Sequence, residues 1–347
     1  MKKTNRYISL LLALVFAAGL SSCIKEDYAD STKNDKATVS LVFDTRAPGV
    51  DGQTVQAGPN EGIKTLRVII VDSKSSTVNV NKLYDYSAER GPVETKTLTI
   101  MNLPVGQKDF YVIANEGSVG MNGIKLDTWQ EKGTFDDSNK NELLQAVIAS
   151  GFPKTDAEIA KLGLPIAGWQ SENITGTEDQ VIEIPITRAV AKFVLYINNE
   201  SGEDFNLNSV NLGTFVADRT YLFPGQNGLP QEVTYNEKMY SLNANTTVAA
   251  NDDGKGEPAF IGYIYETGTR GAGDFTLSLT SRTPGFEDLA KAVPIQFNQQ
   301  GRKHISRNEQ VEITATVDVN KEVQTDLKIL VVHWHWGEKV IEVPPFN

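Results

Sequence analysis

The C-terminal stretch VVHWHWGEKVIEVPPFN places two histidines and two tryptophans close enough together to suggest chemistry. In an extended strand, His333 and His335 lie on one face and Trp334 and Trp336 on the other. Two histidines at this spacing could form half of a zinc site, but zinc takes three or four ligands and His304 is the only other histidine. The sequence therefore favours a late strand whose tryptophans pack and whose histidines line an edge or a partner contact. It predicts no metal site and no cofactor.

The stretch NDDGKGE (251–257) is the best candidate for calcium binding. Asn251, Asp252, Asp253 and Glu257 surround two glycines there. A calcium loop places oxygen ligands at alternate positions, with a glycine at the sharp turn, and the spacing of an EF-hand is not met. The pattern favours a solvated acidic turn and leaves calcium binding open.

The remaining motifs do not predict a catalytic site. TRGAGDF (269–275) is rich in glycine but lacks the Lys-Ser/Thr of a phosphate loop and the spacing of a dinucleotide-binding fingerprint. The sequence contains no G-x-S-x-G motif, and its only cysteine, Cys23, lies near the N-terminus. We therefore expect that the protein is not an enzyme.

The N-terminal residues have the pattern of an export signal. A basic start is followed by YISLLLALVFAAGL, an apolar run shorter than the about 20 residues that a membrane-spanning helix needs. The run ends in LSSC, which resembles the lipobox of bacterial lipoproteins, so residues 1–22 are predicted to be a signal peptide and Cys23 the lipidated residue. The charged residues Lys25, Glu26 and Asp27 resemble the tag that sorts lipoproteins of Bacteroidetes to the outer surface.

The net charge of −11 argues against nucleic-acid partners. Such partners require clustered Lys and Arg to replace phosphate counterions, and the sequence has no basic run. With a single cysteine, the chain cannot form an internal disulfide. The sequence shows no second apolar segment that could span a membrane.

Alternating apolar and polar residues dominate the rest of the chain, as in half-buried strands. We predict the strands 37–45, 65–72, 96–104, 108–115, 181–197, 263–267, 274–281, 292–297, 310–319, 326–334 and 339–345. Two short helices interrupt them: 139–150, with Asn139 and Glu142 as a capping box, and 155–163, with Thr155, Glu158 and a closing Gly163. The sequence thus predicts an all-β protein of two tandem antiparallel β-sandwich (transthyretin-like) domains, residues 47–185 and 186–347, with helical insertions in the first.

The first predicted strand runs directly into Arg46 and a loop, GVDGQTVQAGPNEG (49–62), rich in Gly, Gln and Asn. Such a loop is expected to be exposed and easily cut by proteases. An arginine at the end of a strand is common and does not by itself indicate processing.

Taken in order, the segments of the chain resemble the fimbrillins, the type V pilins of Bacteroidetes. The resemblance runs nearly end to end through ordered landmarks. They are LSSC, ATVSLVFDTRA, LRVIIVD, FYVIANEG, IPITRAVAKFVLYI, ISRNEQVEITATV and a closing strand pair that carries Trp336.

The resemblance implies that the protein is exported as a palmitate-bearing lipoprotein and is then cut by an arginine-specific protease between Arg46 and Ala47. Cleavage would release residues 23–46, including the first strand. Its inward residues would leave a groove: Ala37, Val39, Leu41 and Phe43. A second subunit would fill the groove with C-terminal strands from about 326–347. The donor residues implied are Leu327, Ile329, Val331 and Trp336, although His333 stands where the family has a small apolar residue.

The resemblance therefore implies a stalk subunit of a cell-surface fimbria that supports adhesion and biofilm formation. Its partners would be copies of itself, the protease, the anchor and tip subunits, and the outer membrane that holds the lipidated precursor. Two alternatives remain open: an uncleaved anchor or tip subunit, and a glycan-binding surface lipoprotein that presents Trp129 and Trp169.

Overall fold

A computed structural model describes residues 35–44, 58–87, 96–118, 120, 124–149, 154–176, 180–235, 240–295, 302–324 and 330–333. The predicted strand 339–345 lies outside these residues. No helix within these ranges is long and apolar enough to cross a membrane.

Strands are the main regular elements of the described chain, in agreement with the predicted all-β fold. In the first half they are β1 (Lys36–Asp44), β2 (Thr65–Asp72), β3 (Thr77–Asp85), β4 (Lys96–Pro104), β5 (Gly106–Ala114), β6 (Val147–Ala149), β7 (Lys154–Thr155), β8 (Ile166–Ile174), β9 (Gln180–Pro185) and β10 (Thr187–Arg188). In the second half they are β11 (Val190–Asn199), β12 (Phe205–Leu212), β13 (Arg219–Tyr221), β14 (Tyr240–Val248), β15 (Phe260–Tyr265), β16 (Thr276–Ser281), β17 (Val293–Pro294), β18 (Glu309–Val317), β19 (Val323–Gln324) and β20 (Leu330–His333).

The strands form two sandwiches. In the first, the three-stranded sheet β4-β1-β9 packs against the five-stranded sheet β10-β8-β5-β2-β3. In the second, the six-stranded sheet β19-β18-β11-β15-β7, with β20 also paired to β18, packs against the sheet β14-β12-β16-β17. Most pairs are antiparallel, as predicted, but β1 runs parallel to β9 and β11 runs parallel to β18.

The central strand β2 is buried on both faces, which explains why its sequence TLRVIIVD is almost continuously apolar. Leu66, Val68 and Ile70 face the core of the first sandwich. Ile69 and Val71 face the opposite way, into a second cluster formed with residues from the other half of the chain. The sheet that contains β2 therefore lies in the middle of the molecule.

The two predicted helices are present but shorter than predicted. Helix α1 (Asp137–Leu144) begins at Asp136, whose side chain accepts a hydrogen bond from the amide of Asn139. The predicted start at Asn139 and end at residue 150 are therefore wrong, because Asp136 is the better-placed cap and residues 147–149 extend into β6. Helix α2 (Asp156–Ile159) has the predicted capping box, in which the amide of Thr155 donates to Glu158 over 2.6 Å. Four short 3-10 helices complete the described elements: Glu116–Ser118, Leu126–Thr128, Ala272–Asp274 and Glu287–Ala290.

The chain passes from the first sandwich to the second between Arg188, where β10 ends, and Val190, where β11 begins. Strands of the two halves also pair with each other: β6 pairs with β13, and β7 pairs with β15. A continuous apolar cluster lies between them and includes Tyr111 from the first half and Phe223 from the second. The halves therefore share one buried interior although each has its own pair of sheets.

Candidate strand-exchange site

Strand β1 occupies the centre of its sheet, with β4 on one side and β9 on the other. It pairs antiparallel with β4 from Lys36 to Phe43 and parallel with β9 from Val39 to Asp44. Within the described residues, neither β4 nor β9 pairs with a strand other than β1. Loss of β1 would therefore leave two strands without a hydrogen-bonded neighbour, facing one another across a gap of one strand.

The inward side chains of β1 are the four that the sequence singled out. Val39, Leu41 and Phe43 have no exposed surface, and Ala37 is buried as well. They pack on the inner face of the second sheet, which includes Val68. Thr38 is exposed and Ser40 and Val42 are half-buried, so the strand has one apolar and one more polar face. An empty β1 position would be a groove with sites for four alternate apolar side chains.

A bulge in β4 fixes the register of the strand in this groove. Val39 pairs with Ile100 and Ala37 with Leu103, so two residues of β4 stand opposite the single residue Thr38. One of the two, Asn102, has a φ of 60°, a left-handed conformation that asparagine tolerates. The bulge lies in β4, so it would remain to align another strand if β1 were absent. The sequence of β4 gave no signal of this bulge.

A buried ion pair lies at the end of the groove where β1 begins. Lys108 on β5 has no exposed side-chain surface and its ammonium lies 2.5 Å from the carboxylate of Asp72. The ammonium also lies 3.3 Å from the carbonyl of Val105, whose amide donates to the carbonyl of Asp35, the residue before β1. Burial acts to raise the pKa of Asp72, but hydrogen bonds from Lys108 and Ser75 outweigh it and lower the pKa to about 2.

The structure describes only part of the predicted donor segment. Residues 330–333 form β20, which pairs antiparallel with β18 of the same chain, Val331 opposite Val311 and His333 opposite Glu309. Strand β18 is the outer strand of its sheet at this point, so the C-terminal strand adds to an edge. Leu327, Ile329 and Trp336 lie outside the described residues.

Four other predictions concern residues that the structure does not describe. They are the signal peptide 1–22, the lipidation of Cys23, the sorting tag Lys25, Glu26 and Asp27, and the cleavage between Arg46 and Ala47. The loop 49–62 is described from Gly58 onward. The prediction that it is exposed is wrong at its end, because Glu61 and Gly62 are buried, Glu61 against Lys192 and Tyr263 of the second half of the chain.

The structure gives little support to glycan binding by Trp129 and Trp169. Trp129 is buried and its ring packs edge-on against Phe135, with 4.9 Å between centroids. Trp169 stacks on Tyr111. Neither tryptophan forms an open platform for a sugar ring.

Two carboxylates of the acidic turn 251–257 accept hydrogen bonds from backbone amides of the same turn. Asp252 accepts a hydrogen bond from the amide of Gly254, and Asp253 accepts one from the amide of Lys255. In the part of the chain that the structure describes, no three His, Cys, Asp or Glu side chains are grouped so that they could hold a metal ion.

Comparison with known proteins gives similarity of fold but none of sequence. No family model and no curated protein matches the chain. The structure is similar to that of the tip fimbrial protein Mfa3 from Porphyromonas gingivalis with a C-terminal truncation. The match has a TM-score of 0.55 at 17% identity and covers 86% of this chain and 100% of that one.

Two further structures match over a similar extent. One is a fimbrilin from the same organism, with a TM-score of 0.49 and 14% identity over 88% of this chain and 99% of that one. The other is a fimbrial assembly protein from Parabacteroides distasonis, with a TM-score of 0.48 and 14% identity over 85% of this chain and 98% of that one. The comparison with the tip protein establishes that this chain, across both of its sandwiches, has the fold of a fimbrial protein of the fimbrillin type.

Proposed function

We propose that the protein is a structural subunit of a cell-surface fimbria, exported as a lipoprotein and polymerised by strand exchange after cleavage at Arg46. The observation that carries this proposal is the position of β1. It is the first described strand, it is the partner of both β4 and β9, and its neighbours pair with no other strand among the described residues. A strand so placed can be removed by one cut without breaking the connections between the remaining strands.

A sheet that has lost its central strand is strongly adhesive. The facing edges of β4 and β9 present unpaired backbone groups, and the floor beneath them is apolar. Another chain can fill this gap with backbone hydrogen bonds along both edges and alternate side chains in the four inward positions. Similarity of fold to fimbrial proteins supports this reading. The partners of the chain are then copies of itself, together with anchor and tip subunits at the two ends of the fibre.

The donor in this proposal is the C-terminal segment from about residue 326. In the isolated chain its residues 330–333 add to the edge of β18, so they are available only if that pairing is exchanged for one with the next subunit. Leu327, Ile329 and Val331 would occupy alternate inward positions of the neighbour's groove.

The decisive measurement is the N-terminal residue and intact mass of the protein recovered from the cell surface. The proposal expects Ala47 at the N-terminus, together with polymers that survive mild detergent. Lipid-modified Cys23 on most molecules would contradict the stalk role, because an anchored subunit keeps its first strand.

A tip subunit is the second candidate, favoured by the fold shared with the tip protein Mfa3. The variant Arg46→Ala separates the two roles. It abolishes polymer formation by a stalk subunit, whereas a tip subunit still joins the fibre in one copy, because a terminal subunit does not need an emptied groove.

A further inference from the structure

The end of the loop 49–62 is bound tightly to the second half of the chain through Glu61. The side chain of Glu61 has no exposed surface. Its carboxylate lies 2.7 Å from the ammonium of Lys192 on β11 and 2.6 Å from the hydroxyl of Tyr263 on β15. Its other oxygen accepts a hydrogen bond from the amide of Gly58 over 2.6 Å, which closes the loop on itself. Lys192 and Tyr263 are also buried, so the interaction is shielded from water.

Other polar side chains hold the residues around Glu61. The side-chain amide (Nδ2) of Asn60 donates to the carboxylate of Asp156 over 2.9 Å. The buried side chain of Asn115 accepts a hydrogen bond from the amide of Lys64 and donates to the carbonyl of Gly62. Residues 58–64, which we call the strap, are therefore fixed at several points.

The strap and β1 are held by different forces. The inward face of β1 carries only apolar side chains, so β1 can move into another apolar groove or be replaced there without leaving a buried charge. Release of the strap would separate Glu61 from Lys192, and each would have to leave the interior or remain there without its counter-charge. A buried charge that loses its partner is strongly unfavourable. Burial and the nearby charge of Glu61 also raise the pKa of Tyr263, which keeps its hydroxyl protonated as a donor.

The contact with Lys192 also places the strap near the C-terminal strand. Lys192 on β11 pairs in register with Gln310 on β18, and Gln310 pairs with Val332 on β20. The strap therefore contacts β11 at the position where β11 pairs with β18 and β18 pairs with β20.

We propose that the Glu61–Lys192–Tyr263 cluster is a lock: it keeps the chain from Gly58 onward bound when β1 departs. The lock also connects the strap, which lies beside the first sandwich, to β11, whose neighbour β18 pairs with the C-terminal strand β20. This role rests on the proposed function, in which β1 departs after cleavage. The lock keeps the strap in place as β1 leaves, and the processed chain then begins at Ala47. Tension along a fibre then passes from the first sandwich through Glu61 to β11 and β18.

Trypsin provides a sharp test, because residues 47–63 contain no Lys or Arg and Lys64 is the first basic residue after Arg46. Limited digestion of the unmodified protein should give a stable product that begins at Ala47. The variant Lys192→Met, which leaves the sequence of the strap unchanged, should give a second product that begins at Thr65. Amide exchange of residues 58–65, measured by mass spectrometry on the intact chain, should accelerate by more than about tenfold in the same variant.

The matched control is Lys291→Met, which removes an exposed lysine 3.0 Å from Glu322 and should change neither result. A second pair of variants guards against general loss of folding: Tyr263→Phe and Tyr265→Phe each remove one buried hydroxyl from β15, but only the first contacts Glu61. Equal exchange of the strap in both tyrosine variants, or no cut after Lys64 in Lys192→Met, would overturn the lock. If exchange responds as expected but Arg46 is never cut on cells, the lock stands and the proposed function fails.

Discussion

A peptide with the sequence of β1 should bind the cleaved protein and restore its stability. The perturbation is cleavage at Arg46 followed by removal of the released fragment from the purified protein. Val39, Leu41 and Phe43 have no exposed surface in the intact chain. Burial of such side chains contributes about 1.5–3 kcal/mol each, so their loss removes about 5–9 kcal/mol. This is comparable to the total stability of a typical domain, about 5–15 kcal/mol, so the cleaved protein should unfold at a much lower urea concentration.

The assay is urea denaturation of the cleaved protein, followed by tryptophan fluorescence, with and without a peptide of residues 36–44. The unmodified peptide should shift the transition back toward that of the intact chain and should also inhibit polymer formation. A peptide with Leu41→Asp should fail, because it places a carboxylate among apolar side chains without a partner. A peptide with Val42→Asp is the matched control and should bind nearly as well, since Val42 is half-buried on the outer face.

Two results would refute the reasoning. If the Leu41→Asp peptide restores stability as well as the unmodified one, the inward positions of β1 do not determine binding. If the cleaved protein is as stable as the intact chain, β1 does not support the sheet that it occupies.

Three further predictions concern residues outside the groove that stabilise the fold. Asp72→Asn should destabilise the protein by about 1–3 kcal/mol at neutral pH, because Lys108 loses its buried partner. Since the pKa of Asp72 is lowered from 3.8 to about 2 on folding, its contribution is present above pH 3.8 and is lost as the pH falls toward 2, so the variant should have a flatter pH–stability profile over that range. Gly163→Ala should cost at least about 1–2 kcal/mol in urea denaturation, because φ is +73° there and an added Cβ would clash with the side chain of Asn115, whereas Gly256→Ala, with open space around it, should cost little. Phe223→Ala should cost about 3–5 kcal/mol and, in calorimetry, should separate the unfolding of the two halves, since this buried ring lies in the cluster that joins them; a single unchanged transition would contradict that role.

The sequence predicted the strands best where one strand has a regular pattern and clear turns at both ends. The segment 65–72 is observed as β2 with the predicted bounds, and the alternation in 37–45 correctly identified the four inward residues of β1. The predicted strand 181–197 is instead three strands, because the chain changes sheet after Pro185 and crosses to the second sandwich after Arg188. An apolar run continues through this crossing since both sandwiches bury it, and hydrophobicity alone does not mark the change of sheet.

Long-range pairing could not be predicted from local pattern. The alternation in β1 gives no sign that its partner on one side is β9, or that the two run parallel. The burial of Glu61 was missed for a similar reason: in the sequence it follows Pro59 and Asn60 in a polar loop, and its partners Lys192 and Tyr263 come from strands far along the chain. A buried carboxylate can be recognised only once its counter-charge is placed.

The parallel pairing of β1 with β9 has a consequence for the order of folding. Val39 cannot pair with Gln180, nor Phe43 with Ile184, until the chain through β9 is available, and by then β2, β3, β5 and β8 of the five-stranded sheet are already available. Contacts between residues so distant in sequence form late, because closing the intervening loop costs entropy before any contact compensates for it. The antiparallel hairpin β2–β3 can form from local contacts meanwhile. The first described strand of the chain is therefore expected to dock last, and a segment that completes a fold at the final step is also the one whose departure disturbs the earlier steps least.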